Sequence, residues 1–217
     1  MTVTTIPTAG IANDAVDNTK LDLASNYAFT GTVTGASDLA LISTTNVTSA
    51  VSSVDFETLS TDFNHFCVHV GDPEPATNNA GLRVRLKTSG GYATGSSDYA
   101  NARQRVYQSG GSTWTANQSG FNSSGGNVHL GQNSDGNGYV EAGVSTIVWF
   151  HNIHSTDKRK HFYSASNGGT DSQNSSVQNS AVTFVGSGSK DAVTGIRFYF
   201  DSGDIAKGRF SLYGVKT

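Results

Sequence analysis

The sequence predicts an all-β protein, an antiparallel β-sandwich of jelly-roll-like character preceded by a short extended attachment segment. Ser, Thr, Asn and Gly account for 94 of the 217 residues, and these residues favour turns over helix interiors. The helix formers Leu, Glu and Met total only 13, whereas Val alone occurs 19 times and favours pleated strands. Short strand-like runs recur between Gly-, Ser- and Asn-rich stretches, which is typical of a sandwich.

Residues 1–50 differ from the rest of the chain, because Tyr27 and Phe29 are their only aromatic side chains. The apolar residues between Ile11 and Leu23 have a spacing that permits one or two helical turns, and 27–35 alternates like a strand. A segment with so few apolar residues rarely folds on its own. We therefore predict an attachment and oligomerisation segment over 1–50 and a β-sandwich domain over 51–217. The predicted contact residues of the segment are Ile11, Val16, Leu21, Leu23, Tyr27 and Phe29.

The sandwich domain contains ten strand-like runs. In order, they are Ser52–Glu57, His65–Gly71, Leu82–Thr88, Arg103–Ser109, Val128–Gln132, Thr146–His154, His161–Ser166, Ala181–Gly186, Thr194–Asp201 and Gly208–Val215. In three of them, core-type apolar side chains occur at every second position, so each of the three predicts a strand with one buried face. The predicted buried sets are Phe66, Val68 and Val70; Ile196, Phe198 and Phe200; and Phe210, Leu212 and Gly214. Ile147–Phe150 is apolar at every position, which predicts a central strand covered on both faces.

Charge and cysteine content exclude several classes of function. The net charge is −3 and no basic stripe occurs, so binding to nucleic acid through phosphate neutralisation is not expected. The single cysteine, Cys67, excludes an intrachain disulfide and a multi-cysteine zinc site. Met1–Ile11 has no basic side chain and no apolar run, and the longest strongly apolar run is Ile147–Phe150. We therefore expect a soluble protein made in a cytoplasm, without a secretory signal or membrane insertion.

No catalytic motif is present, neither a nucleophile elbow, nor a phosphate-binding loop with lysine, nor a zinc-protease helix. We predict that the protein is not an enzyme and uses no cofactor. A polysaccharide-cleaving enzyme remains an alternative, since it needs two carboxylates, and Glu57 and Glu141 are candidates for them.

The histidines do not predict a metal site within one strand. His65 and His69 are four residues apart on one strand face, which separates them by about 13 Å, too far for one ion. His151 and His154 are three apart and point to opposite faces. We interpret them as β-sheet histidines, with a metal shared between symmetry-related chains as the alternative. Residues 133–138, Asn-Ser-Asp-Gly-Asn-Gly, weakly resemble a calcium loop but predict a tight turn.

Aromatic residues in polar surroundings suggest a glycan-binding surface. Trp114 lies in a predicted long polar loop, Ser109–Gly126, and an indole ring stacks well on the apolar face of a sugar. Tyr92, Tyr99 and Tyr107 lie in neighbouring segments. The alternative is that Trp114 folds back and caps one end of the sandwich. A second long polar loop is predicted over 167–180.

Two stretches resemble proteins of tailed bacteriophages. Ile11-Ala-Asn-Asp-Ala-Val-Asp-Asn-Thr-Lys-Leu-Asp-Leu with Asn26-Tyr-Ala-Phe-Thr-Gly-Thr-Val-Thr-Gly resembles the N-terminal and connecting segments of fibre proteins, especially those of phages of cyanobacteria and marine bacteria. Ile196-Arg-Phe-Tyr-Phe-Asp-Ser-Gly-Asp-Ile, continuing to Leu212-Tyr-Gly-Val-Lys, resembles the closing strands of a β-sandwich domain of the same virion proteins.

The resemblance implies a structural protein of the virion, assembled in the host cytoplasm as a homotrimer. The N-terminal segment would contact other virion proteins of the baseplate, tail or capsid, and the β-sandwich would face outward. A short tail fibre or similar appendage that attaches to a host-surface glycan is the expected function. The alternative is a head fibre or a capsid decoration protein that bridges coat subunits.

Overall fold

Thirteen strands form the described part of this computed structural model. The structure describes residues 38–77, 80–109, 113–122, 128–132, 144–169 and 175–216, with the backbone alone at 107–109, 113–115, 117–122, 131–132, 144, 169 and 175. The strands are β1 (Leu39–Val47), β2 (Val54–Phe56), β3 (His65–Pro75), β4 (Gly81–Thr88), β5 (Gly91–Tyr92), β6 (Tyr99–Ser109), β7 (Thr113–Asn122), β8 (Val128–Gln132), β9 (Val144–His151), β10 (His161–Gly169), β11 (Ser175–Phe184), β12 (Gly195–Phe200) and β13 (Ile205–Val215). Within these ranges no helix is long and apolar enough to cross a membrane.

The strands make two antiparallel sheets. The eight-stranded sheet has the order β1-β13-β3-β9-β10-β11-β6-β7, and the five-stranded sheet has the order β2-β12-β4-β5 with β8 also paired to β4. The two sheets pack face to face as an all-β sandwich, which confirms the fold class predicted from the sequence.

The core lies between the sheets and is built by alternation along each strand. All three predicted buried sets are buried: none of their large apolar side chains exposes more than 5% of its surface. From the eight-stranded sheet, the rings of Phe150 and Phe162 pack at 5.2 Å between centroids. From the five-stranded sheet, Phe198 reaches Phe210 at 5.7 Å. These ring contacts supply much buried area to a chain that has few Leu residues.

Gly214 is required by a close approach within the core. A Cβ built at Gly214 would lie 2.5 Å from the ring of Phe63. Phe63 in turn packs edge-on against Phe66 at 6.1 Å. The absence of a side chain at position 214 therefore makes room for an aromatic ring that closes one end of the core.

The sheets contain more residues than the sequence predicted. The predicted loop Ser109–Gly126 was wrong, because Thr113–Asn122 forms β7 and pairs with β6 along its whole length. The predicted loop over 167–180 was also wrong, because β10 and β11 stay paired as far as Gly169 and Ser175. Backbone hydrogen bonds hold these polar segments in the sheet without an alternating apolar pattern.

The sandwich also includes residues that the sequence analysis assigned to the attachment segment. β1 pairs with β13 from Leu39↔Val215 to Val47↔Gly208. The range 1–50 is therefore too long for a segment separate from the sandwich. Ile11, Val16, Leu21, Leu23, Tyr27 and Phe29 lie outside the described residues, so their contacts remain a prediction.

Candidate functional site

The outer face of the eight-stranded sheet carries a row of large aromatic side chains. The strand registers place Tyr213 beside Cys67, Cys67 beside Trp149, and Trp149 beside Tyr163. We call Tyr213, Cys67, Trp149 and Tyr163 the aromatic row. It crosses four neighbouring strands, three strand spacings or about 14 Å. Tyr163 is 45% exposed, and Trp149 and Tyr213 are half-buried.

Cys67 is the small member of the aromatic row and is buried although it lies on the outer face. Its neighbours in the chain, Phe66 and Val68, fill the core on the inner face. The registered neighbours on its own face are Tyr213 and Trp149, whose rings are large enough to shield the thiol. Burial raises the pKa of Cys67 to about 11. The thiol therefore stays protonated at neutral pH and contributes a small apolar surface between two rings.

A shallow depression of about 370 Å³ adjoins the aromatic row on the same face. Its lining includes the apolar side chains Ile147 and Val177, which are 40% and 53% exposed. His69, Ser145 and Asn167 contribute polar groups to the same lining. An exposed apolar floor with a few polar groups at its border is the usual composition of a ligand site.

The exposure of this face overturns one expectation from the sequence. Ile147–Phe150 was expected to be covered on both faces, but only Val148 and Phe150 are fully buried. Ile147 is 40% exposed and Trp149 is half-buried. In the part of the chain that the structure describes, the second sheet covers one face of β9 only. Ile147 is therefore partly exposed on the outer side of β9.

One of the four aromatic residues predicted to bind a glycan, Tyr99, has a structural role instead. Tyr99 has 0% exposure, and its ring lies between Phe162 and Phe184 at centroid distances of 6.2 and 5.4 Å. Its hydroxyl accepts a hydrogen bond from the N–H of Leu86 at 2.9 Å. The assignment of Tyr99 as a glycan ligand was therefore wrong, because no part of the ring reaches the surface.

Tyr92 lies on the other sheet and makes contacts within the chain. The guanidinium of Arg197 lies 3.9 Å from its ring centroid, and its hydroxyl donates to Glu57 at 3.0 Å. Arg197 also donates from Nε to Asp55 at 2.8 Å. A cation already occupies one side of the ring, so a sugar cannot stack on that side; glycan binding by Tyr92 itself stays a prediction.

The other two predicted glycan ligands lie in the β6–β7 pair. Tyr107 is in register with Thr115, and Trp114 is in register with Gln108. The structure describes the backbone alone at both aromatic positions, so their role in binding remains a prediction. Trp149, Tyr163 and Tyr213 were not selected from the sequence, although Tyr213 stands at an outward position of an alternating strand.

The fold brings together histidines that the sequence treated separately. Nδ1 of His65 lies 3.3 Å from Nδ1 of His151, and their ring centroids are 5.4 Å apart. Burial lowers the pKa of His151, and the neighbouring His65 and His161 lower it further. Among the described residues, no group of three or more His, Cys, Asp or Glu side chains is arranged to hold a metal ion.

A second polar region lies beside β8, away from the aromatic row. His129 is in register with Arg83 of the neighbouring strand, and Arg83 forms an ion pair with Asp201. Burial, together with the cations Arg83 and Arg103, lowers the pKa of His129 to about 3. Nδ1 of His129 is buried without a hydrogen-bond partner. This histidine is therefore neutral in the folded protein over most of the pH range.

Comparison with known proteins gives no relative from which function is transferable. No family model, no curated protein and no solved structure matched the chain.

Proposed function

We propose that the protein is a structural protein of a tailed-bacteriophage particle, a short fibre or similar appendage, whose β-sandwich attaches to a host-surface glycan. The observation that carries the glycan proposal is the aromatic row with its adjoining depression. Trp149 and Tyr163 occupy neighbouring strands in register, so their side chains lie about 5 Å apart at Cβ. Rings at this spacing form a continuous platform for the apolar faces of sugar rings.

The depression provides the hydrogen-bonding groups that a sugar also needs. His69, Ser145 and Asn167 line it. His69 lies two residues along its strand from the aromatic row, about 7 Å, and Ser145 and Asn167 each lie four residues along theirs, about 13 Å. A sugar ring stacked on the platform has hydroxyl groups around its edge, and these find partners among the polar side chains beside it. The arrangement favours a glycan over a purely apolar ligand, which would leave the polar groups unpaired.

The phage assignment rests on the resemblance of the two sequence stretches. In the second stretch, Gly203 has a φ of 71° in the turn between β12 and β13, and Ile205 is fully buried. The proposed homotrimer would be held through the N-terminal segment, which would also contact the baseplate, tail or capsid.

A glycan array followed by calorimetric titration tests the attachment function. We expect Trp149→Ala and Tyr163→Ala each to weaken glycan binding, because each removes a ring on which the apolar face of a sugar would stack. Tyr92→Ala is the matched control, because it removes a tyrosine from the opposite sheet. Trp114→Ala tests the ligand predicted from the sequence in the same assay.

Two outcomes would overturn the glycan proposal. Unchanged binding in both Trp149→Ala and Tyr163→Ala would remove the aromatic row from the interaction. A fall in solution mass on Tyr163→Ala would show instead that the face joins copies of the chain.

A capsid decoration or head-fibre role is the second candidate, and the edge strand β1 favours it. Leu39, Leu41 and Ile42 are 39%, 58% and 37% exposed on a strand that is paired on one side only. An apolar edge strand is a common site of association with other chains. Undiminished incorporation of a protein lacking residues 1–25 into particles would count against attachment through the N-terminal segment in either role.

A further inference from the structure

Three histidines form a row at one end of the outer face of the eight-stranded sheet. His65 of β3 and His151 of β9 each lie one residue beyond Phe66↔Phe150, the last registered pair of these strands, and their side chains are in contact. His151 is in register with His161 of β10. This histidine row lies next to the aromatic row, two residues along each strand. Spacing along β3 keeps His65 and His69 too far apart to share an ion. Neighbouring strands, in contrast, bring the imidazoles of His65 and His151 into contact.

The geometry of His65 and His151 fits chelation of one metal ion. Two ligand nitrogens at the usual zinc–nitrogen distance of about 2.0–2.1 Å, arranged at a tetrahedral angle, are about 3.3 Å apart. The Nδ1 atoms of His65 and His151 are 3.3 Å apart. Both side chains are half-buried, so the β-sheet holds them in place while solvent reaches them. A pair fixed in this way loses little conformational freedom when an ion binds.

We propose that His65 and His151 together bind one divalent transition-metal ion through their Nδ1 atoms, with water in the remaining coordination positions. Imidazole ligands suit Zn²⁺, Ni²⁺ and Cu²⁺ and do not suit Ca²⁺ or Mg²⁺. Nδ1 of His161 is hydrogen-bonded to Oγ1 of Thr183 at 3.0 Å, so this nitrogen is not counted among the ligands. The competing explanation of the 3.3 Å contact is a hydrogen bond between two neutral imidazoles, which needs no ion.

Titration of the full chain with Zn²⁺, Ni²⁺ and Cu²⁺ separates these explanations. We expect one ion per chain by calorimetry, with Cu²⁺ bound more tightly than Ni²⁺ or Zn²⁺. Trp149 provides a second signal, since it lies two residues from His151 on the same strand face, about 7 Å away. Bound Cu²⁺ should quench its fluorescence, and Trp149→Phe should remove that quenching without removing the binding.

Single substitutions identify the ligands. His65→Ala and His151→Ala should each weaken binding by at least about tenfold, a change of about 1.4 kcal/mol. His69→Ala is the matched control, because His69 lies on the same face of the same strand but about 13 Å from His65. His65→Gln keeps a hydrogen-bonding group beside His151, so its loss of metal binding with normal thermal unfolding separates chelation from a structural role.

Three results would overturn the proposal. The first is no binding of any of the three ions by the full chain at micromolar concentration. The second is an equal loss of binding in His69→Ala. The third is an ion-dependent increase in solution mass that needs both His65 and His151, because it would show that the ion bridges copies rather than binding within one chain.

Discussion

Replacement of Tyr99 by Phe tests whether this residue joins the two sheets or binds a ligand. The hydroxyl of Tyr99, on the eight-stranded sheet, accepts the N–H of Leu86 on the five-stranded sheet at 2.9 Å. Leu86 lies between the part of β4 that pairs with β8 and the part that pairs with β5. Tyr99→Phe keeps the ring contacts and removes only this acceptor, so a buried N–H loses its partner.

The loss of this one hydrogen bond determines how far the free energy of unfolding should fall. A buried donor left without a partner destabilises a protein by about 1–3 kcal/mol. No cavity term is added, because the phenyl ring of the variant fills the same space against Phe162 and Phe184. For a domain of this size, each kcal/mol lowers Tm by about 2–4 °C, so the expected decrease is roughly 2–12 °C.

Urea unfolding and calorimetry of the full chain measure this effect. Tyr163→Phe is the control, because its ring is 45% exposed and the variant should unfold like the wild type. Superimposable unfolding curves for Tyr99→Phe and wild type would refute the bridging role. Loss of glycan binding with unchanged stability would restore the sequence-based interpretation of Tyr99 as a ligand.

Two further predictions concern the core and the pH dependence of stability. Gly214→Ala should lower the free energy of unfolding, measured by urea titration, by about 1–3 kcal/mol, because the new Cβ meets the ring of Phe63 at 2.5 Å. Gly71→Ala is the control and should leave the free energy of unfolding unchanged, because its new Cβ meets no atom within 4 Å. The pKa of His129 is about 3 in the folded protein, against 6.5 for an ordinary histidine. The unfolded chain therefore binds a proton that the folded chain does not, and stability is lost as pH falls from 6.5 toward 3. His129→Asn should therefore show a smaller loss of unfolding free energy between pH 6.5 and 4.5, and equal slopes in the two proteins would contradict the buried, neutral state of this histidine.

Local pattern was enough to predict much of the sandwich. Strict alternation in His65–Val70 predicted which side chains enter the core, since a period of two fixes the face of every residue once one is buried. Phe66, Val68 and Val70 are all at 0% exposure. The polar strand β7 gave no such signal, because it is held by backbone pairing with β6 at the edge of the sheet.

The sequence by itself determined the all-β class and the core faces of the alternating strands. Tertiary structure decided which outward residues meet. Tyr213, Cys67, Trp149 and Tyr163 come from four strands and form one row through strand order and register. His65 and His151 meet because their strands are neighbours in the same sheet. Periodicity along one strand carries no information about which strand lies beside it, so only the folded sheets reveal the aromatic row and the histidine pair.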